Sequence, residues 1–410
     1  MISELFSNHS YKNKPIIIFG AGMIARAAII TIKTLDKKRE VQIIGCGVSK
    51  AVNNVREIEE IAVYDYRELS GKYPDAVTVV AVRDKYYEDV FELLKECNSK
   101  GYIRVSVREC VEILEEKWRR TYPSLSEKFI QKIDMAEITD EEYILFLSKQ
   151  LKTGVINLEV NVCDHCNLNC QSCNHFSPLI KEKNLDEEQY IRDLNRINNI
   201  YSGKVGRIML LGGEPLMNDR ITEICEVTRK ILPDSAVYIC TNGLMFPQMD
   251  KKFWRICREK EIGIKVTKYP VSFDYEYWQH YAEINGVSMS DESTEEVKTT
   301  YKLPLSTEAK WNPWHNYMKC YLANQCVVLR DGKLYTCPIG AWVDYLNKYF
   351  GLELPELDAN AIDIYENDNV EQIEDFLKKP TSLCAYCGID KYEYDIPWAI
   401  SKREIKEWMD

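Results

Sequence analysis

Cys166, Cys170 and Cys173 fall within eight residues, spaced CxxxCxxC. Thiolate is a soft ligand suited to zinc or to iron–sulfur clusters. A closed structural zinc site takes four ligands, whereas a cubane has four irons, so three cysteines leave one iron open to bind something else. Cys163 creates a rival set, Cys163, Cys166, Cys170 and Cys173, which would close a four-thiolate site and leave no open iron. The simpler reading makes Cys163 a strand-end thiol outside the set. Further on, Gly212-Gly213-Glu214-Pro215 follows the apolar run 205–211, and Thr241-Asn242-Gly243 follows 236–240. Glycines let backbone carbonyls approach a cation closely, and an ammonium needs such acceptors. Plain turn chemistry is the alternative at both places. Near the end, Cys320, Cys337, Cys384 and Cys387 form a second possible ligand set, with Cys326 in the same region. A four-cysteine zinc site fits that spacing as well.

The elements that carry these residues alternate. Residues 155–162 run apolar-polar and read as a strand, so the first thiols lie on a loop at a strand's C-terminal end. In barrels of alternating strands and helices, that edge is where chemistry is placed. Residues 205–211, 236–240 and 262–267 read as further strands, and 186–201 as a helix with Tyr190, Leu194, Ile197 and Tyr201 on one face. This alternation predicts an α/β fold with a parallel sheet. Lys268, just past the fourth strand, is a weak candidate for meeting a substrate carboxylate or phosphate. Residues 327–337 read as a hairpin turning at Asp331-Gly332. At the front of the chain, 16–19 is a buried-strand run followed by Gly20-Ala21-Gly22-Met23-Ile24-Ala25, a GxGxxA fingerprint. Such a turn brings backbone close to a diphosphate at a helix N-terminus. The next strand ends Gly45-Cys46-Gly47-Val48-Ser49-Lys50, without the acid that an NAD ribose requires. Strands at 76–82 and 102–107 flank a helix at 84–100, and 111–152 is helical and highly charged.

The CxxxCxxC loop, with Asn167-Leu168 inside it and Gly-Gly-Glu-Pro after the second strand, resembles the radical S-adenosylmethionine (SAM) superfamily. The resemblance implies a partial (β/α)6 barrel. It implies a 4Fe–4S cluster on Cys166, Cys170 and Cys173, whose open iron is chelated by the amino and carboxylate groups of SAM. Reductive cleavage of SAM to a 5′-deoxyadenosyl radical and hydrogen abstraction from substrate would follow. Gly212, Gly213, Glu214 and Pro215 would hold the SAM ammonium, and Thr241 and Asn242 would line the ribose. The residue before the third cysteine is often aromatic in that family and is Ser172 here, a departure that removes a packing contact but no ligand. The C-terminal region resembles the twitch subdomain, the shorter relative of SPASM, a small cysteine-rich α+β unit. That implies a second, auxiliary 4Fe–4S cluster on Cys320, Cys337, Cys384 and Cys387, able to accept an electron in a net two-electron oxidation. Residues 1–115 resemble the Rossmann-like nucleotide-sugar-binding domains of bacterial surface-polysaccharide enzymes.

The expected organisation is therefore a Rossmann-like domain (1–115), a helical connector (116–152), a radical SAM partial barrel (153–300) and a twitch or SPASM-like domain (301–410). The implied enzyme is of oxidoreductase type. It modifies a small molecule, such as a nucleotide-linked sugar, and takes electrons from a flavodoxin- or ferredoxin-type donor. A peptide-modifying enzyme is the runner-up, lowered by the lack of a recognisable leader-binding domain, and a non-catalytic iron–sulfur or zinc scaffold is the third reading. Net charge of −11 argues against nucleic acid as a partner. The longest apolar run, 15–32, is broken by Gly20, Gly22 and Arg26, too short for a membrane span. No secretory signal opens the chain, and fifteen cysteines in a cytoplasmic protein point to metal binding rather than disulfides.

Overall fold

The computed structural model describes residues 2–11, 13–38, 40–49, 57–59, 61–152, 154–291 and 299–410. The chain divides into two units, Met1–Lys152 and Thr153–Asp410. Lys50, read above at the end of the second strand, lies outside the described residues.

The first unit is built on a six-stranded sheet. Its strands are β1 (Ile16–Phe19), β2 (Ile43–Val48), β3 (Glu57–Ile58), β4 (Ile61–Asp65), β5 (Val77–Val80) and β6 (Tyr102–Arg104). They lie in the order β3-β4-β2-β1-β5-β6, parallel throughout except for the edge pair β3–β4. β1 is buried at every position, as its all-apolar run requires. The fingerprint turn delivers Gly22 as N-cap of α1 (Met23–Leu35). The segment read as a connector behaves differently. Helices α2 (Val107–Thr121), α3 (Pro123–Lys132) and α4 (Asp140–Gln150) enclose an aromatic cluster of Trp118, Phe129 and Phe146, with centroids 4.6 to 6.0 Å apart. α2 and α4 also pack on α1. Residues 116–152 therefore belong to the first unit, because their apolar face is spent on its core.

The second unit holds an eight-stranded sheet. Its strands are β7 (Ile156–Cys163), β8 (Val205–Gly212), β9 (Ala236–Thr241), β10 (Ile262–Val266), β11 (Met289–Asp291), β13 (Val327–Arg330), β14 (Lys333–Tyr335) and β15 (Ala361–Asp363). The order is β11-β10-β9-β8-β7-β13-β14-β15. The six strands from β11 to β13 are parallel, and β14 and β15 continue antiparallel. Helices α5 (Glu187–Ile200), α6 (Ile221–Ile231), α7 (Lys251–Glu259) and α8 (Tyr275–Ile284) follow β7, β8, β9 and β10. Period-two alternation sends Leu158, Val160, Ile208, Leu210, Val237, Ile239, Ile262 and Ile264 into one apolar core. The alternate positions of β7 carry Glu159 and Asn161, both buried on the opposite face.

The sixth parallel strand, β13, comes from the region read as a separate C-terminal domain. It pairs directly with β7, so that region shares the sheet instead of standing apart. Its Asp331-Gly332 hairpin is clamped by α5: the buried Asp193 carboxylate accepts from Gly332 N–H (2.8 Å) and Tyr365 O–H (2.8 Å). The remaining pair, β12 (Thr299–Lys302) with β16 (Glu393–Pro397), is antiparallel. Among the described residues no helix is long and apolar enough to cross a membrane.

Candidate functional site

The loop after β7 and the turns after β8 and β9 meet at the C-terminal edge of the parallel strands. Cys166, Cys170, Cys173, Gly212, Gly213, Thr241 and Asn242 line one cavity of about 270 Å³ there. Gly212 and Gly213 are held against the end of β7. Gly213 N–H donates to Cys163 O (2.9 Å) and Glu214 N–H to His165 O (3.0 Å). A Cβ on Gly212 would sit 2.0 Å from Cys163 O, and one on Gly213 would sit 2.0 Å from His165 O. No side chain larger than hydrogen fits either place without moving backbone.

Glu214 and Pro215 are not among the residues lining this cavity. The Glu214 carboxylate turns inward and is fully buried. It accepts from Thr241 Oγ1 (2.5 Å), Asn242 N–H (2.8 Å) and Leu216 N–H (3.1 Å). Burial raises its pKa to about 7, the three donors opposing the shift. Its place in the structure is thus a brace joining the turn after β8 to the turn after β9. Asn242 extends that brace: its side-chain amide donates to Asn167 Oδ1 (2.7 Å), tying β9 to the cysteine loop. Its Nδ2 also stands 4.0 Å from Cys166 Sγ, and Leu168 N–H donates to the same sulfur at 3.4 Å.

Burial pushes the Cys166 thiol well up and that of Cys170 to about 11. Thiolates in such a place need positive charge beside them. Cys163 differs. Its thiol donates to Glu214 O at 2.9 Å, and burial raises it to about 12. It therefore sits as a protonated strand-end thiol. His165 is occupied by the loop backbone, accepting from Lys183 N–H at 3.2 Å through Nδ1. His175 Nδ1 lies 3.1 Å from Asn161 Oδ1, while the ring lines the cavity. Lys268 is half-buried and is not among the lining residues.

The second set gathers elsewhere in this unit. Cys320, Cys337, Cys384 and Cys387 line one small cavity of about 30 Å³ with an apolar wall. Cys320 closes α9 (Pro313–Lys319), and Cys337 caps α10 (Pro338–Phe350). Ala323 N–H points at Cys320 Sγ and Gly340 N–H at Cys337 Sγ, both at 3.4 Å. Asn316 Nδ2 fixes the CxxC turn through the carbonyls of Cys384 (2.7 Å) and Cys387 (2.5 Å). Cys326 stands aside: it is not among the residues lining this cavity, and burial pushes its thiol well up. Tyr317 is fully buried, donating to Leu377 O at 2.6 Å, a packing role. Among the described residues no disulfide joins any of the fifteen cysteines. Among the described residues no three Cys, His, Asp or Glu side chains converge tightly enough to hold a single ion.

Sequence reasoning missed one donor to the first loop: Trp398 Nε1–H lies 3.0 Å from Cys170 Sγ. Tyr269, which follows the fourth strand, lines the same cavity and packs on Trp398.

Residues 160–270 match the model of the Radical SAM superfamily. A GTP 3′,8-cyclase from Clostridium acetobutylicum is 28% identical over 157 residues, 36% of this chain and 44% of the relative. A GTP 3′,8-cyclase from Alkaliphilus oremlandii is 28% identical over 122 residues, 28% of this chain and 35% of the relative. The chain thus spans less than half the length of these curated relatives. Among solved structures, BtrN in complex with AdoMet and 2-DOIA is similar at 18% identity and a TM-score of 0.37, covering 57% of this chain and 92% of that one.

Proposed function

Because the chain belongs to the radical SAM superfamily, we propose that it is an enzyme that abstracts a hydrogen atom from a nucleotide-linked sugar or related small molecule. The observation that carries this reading is the shared cavity of Cys166, Cys170, Cys173, Gly212, Gly213, Thr241 and Asn242. In this reading the three thiolates hold a 4Fe–4S cluster and the glycine turn with Thr241 and Asn242 holds SAM. When bound and reduced, that pair supplies a carbon-centred radical that takes hydrogen from substrate. The donor chemistry fits. Three soft ligands leave a coordination position open, and the side-chain-free backbone of Gly212 and Gly213 exposes acceptors to an ammonium.

The chain's own residues act by positioning. Glu214 keeps the two turns in register through three hydrogen bonds, and Asn242 joins them to the cysteine loop. Cys320, Cys337, Cys384 and Cys387 would hold an auxiliary 4Fe–4S cluster, with Cys326 outside their shared cavity. Two features support a nucleotide-linked substrate: the β1 turn ending at the N-cap of α1, and relatives whose names specify GTP.

Deuterium transfer tests this reading. The reconstituted chain is incubated with SAM, reductant and ring-deuterated nucleotide-sugars, with deuterated GTP alongside. Deuterium in the 5′-deoxyadenosine from one nucleotide-sugar is the expected result. Label arriving only from GTP would move the substrate to a free nucleotide. No transfer from either would remove the nucleotide-linked substrate.

A further inference from the structure

The last residues of the chain lie against the CxxxCxxC loop. Gln171 N–H donates to Ala399 O and Ser401 N–H to Asn169 O, both at 2.8 Å, forming an antiparallel bridge between Cys170 and Ile400. Ser172 Oγ donates to Glu407 O (2.9 Å), and Trp408 Nε1 donates to Cys173 O (3.0 Å). Ser172 sits in the left-handed region, at φ 58°, a conformation that costs a non-glycine residue about 1–3 kcal/mol unless its surroundings hold it. The Glu407 carboxylate shapes the segment by accepting from Ser401 Oγ (2.6 Å), Lys402 N–H (2.8 Å) and Glu404 N–H (3.1 Å). Trp398 stands at the entry to this segment, directly after β16. Its indole packs edge-on to Tyr269, with centroids 5.7 Å apart, and aims Nε1–H at Cys170 Sγ.

Resting on the reading that Cys166, Cys170 and Cys173 hold a 4Fe–4S cluster, we propose that Trp398 sets the cluster's reduction potential through its N–H···S bond to Cys170. A donor on a ligand sulfur draws electron density from the thiolate and favours the electron-rich reduced state. Hydrogen bonds to the sulfurs and solvent exposure are recognised determinants of such potentials. Cys170 receives Trp398 N–H at 3.0 Å, whereas the donors to Cys166 are longer, at 3.4 and 4.0 Å. Trp398 is a positioning residue here; it touches a ligand, not the reacting atoms.

The test uses the full chain, reconstituted anaerobically with iron and sulfide. Cys384→Ala and Cys387→Ala are included to leave one cluster. The potential is read by EPR-monitored redox titration. Trp398→Phe keeps a ring against Tyr269 and removes the N–H. The expected result is a lower midpoint potential, about a tenfold fall in the reduced-to-oxidised ratio at fixed donor potential, ~59 mV for one electron. An unmoved potential in a Trp398→Phe protein that carries its cluster overturns the proposal. If that variant fails to load, tryptophan labelled with ¹⁵N at the indole is placed in the parent. A ¹⁵N coupling to the reduced cluster in pulsed EPR supports the contact, and its absence overturns it. A parent with no Cys166-dependent cluster signal would instead overturn the reading of the site, and the proposal with it.

Discussion

Gly213→Ala is expected to lower SAM-dependent 5′-deoxyadenosine formation by about 100-fold, the cost of displacing a reacting group by about 1 Å. The added Cβ would meet His165 O at 2.0 Å, His165 C at 2.3 Å and Asp164 O at 2.8 Å, all of them backbone. No rotamer relieves such a clash, so the turn or the loop must move. Both are tied in place. Gly213 N–H is bonded to Cys163 O, Glu214 N–H to His165 O, and the Glu214 carboxylate to Thr241 and Asn242. The displacement therefore falls on the acceptors presented to SAM or on the residues just ahead of Cys166. Rates are compared at matched iron content and matched circular dichroism. A rate within a few-fold of the parent would show that the glycine turn is not part of the SAM site.

Arg330→Met is expected to destabilise the second unit by about 3 kcal/mol, the low end for breaking a buried ion pair. The Arg330 side chain is 7% exposed, and its guanidinium is bidentate to Asp344, at 2.9 and 3.0 Å. It also donates to Ala341 O and lies over the rings of Trp342 (4.4 Å) and Tyr345 (5.2 Å). The low end applies because Asp344 keeps 24% of its side chain exposed and regains some hydration. Arg330→Lys is expected to recover little, since one ammonium cannot replace a planar fork stacked on two rings. Combining Arg330→Met with Asp344→Leu is expected to recover most of the loss. Urea unfolding followed by tryptophan fluorescence reads this unit, because every tryptophan except Trp118 lies beyond residue 153. A loss below 1 kcal/mol would place the pair among ordinary surface bridges. Trp342 stacks 6.3 Å from His175, which lines the cavity of the CxxxCxxC loop, so the same change should also disturb the site.

The parts of the site legible in sequence are those written in short stretches. The CxxxCxxC loop and the Gly212-Gly213 turn each follow a strand whose alternation is visible, so type, spacing and edge could be read together. The role of Glu214 could not. The resemblance gives its carboxylate to the SAM ammonium, whereas burial and three local donors make it a brace. Ser172 looks like a lost aromatic contact, and its use emerges only from Glu407, 235 residues away. Trp398 carries no motif and reaches Cys170 across 228 residues, a pairing set by tertiary packing alone. The sheet shows the same division. β7 to β10 were readable from their apolar alternation, whereas β11, Met-Ser-Asp, has no apolar run to reveal it. β13 was read as part of a hairpin, but nothing local shows that it is also the sixth parallel strand beside β7. The helices of 116–152 showed their charged face in sequence, while the Trp118, Phe129 and Phe146 cluster that joins them to the first unit depends on three-dimensional proximity.

The most direct test of the central claim is 5′-deoxyadenosine formation by the anaerobically reconstituted chain with SAM and a strong reductant, compared with Cys166→Ala. Product from the parent and none from the variant is the predicted result. Zinc rather than iron at Cys166, Cys170 and Cys173, or equal product from both proteins, would contradict it.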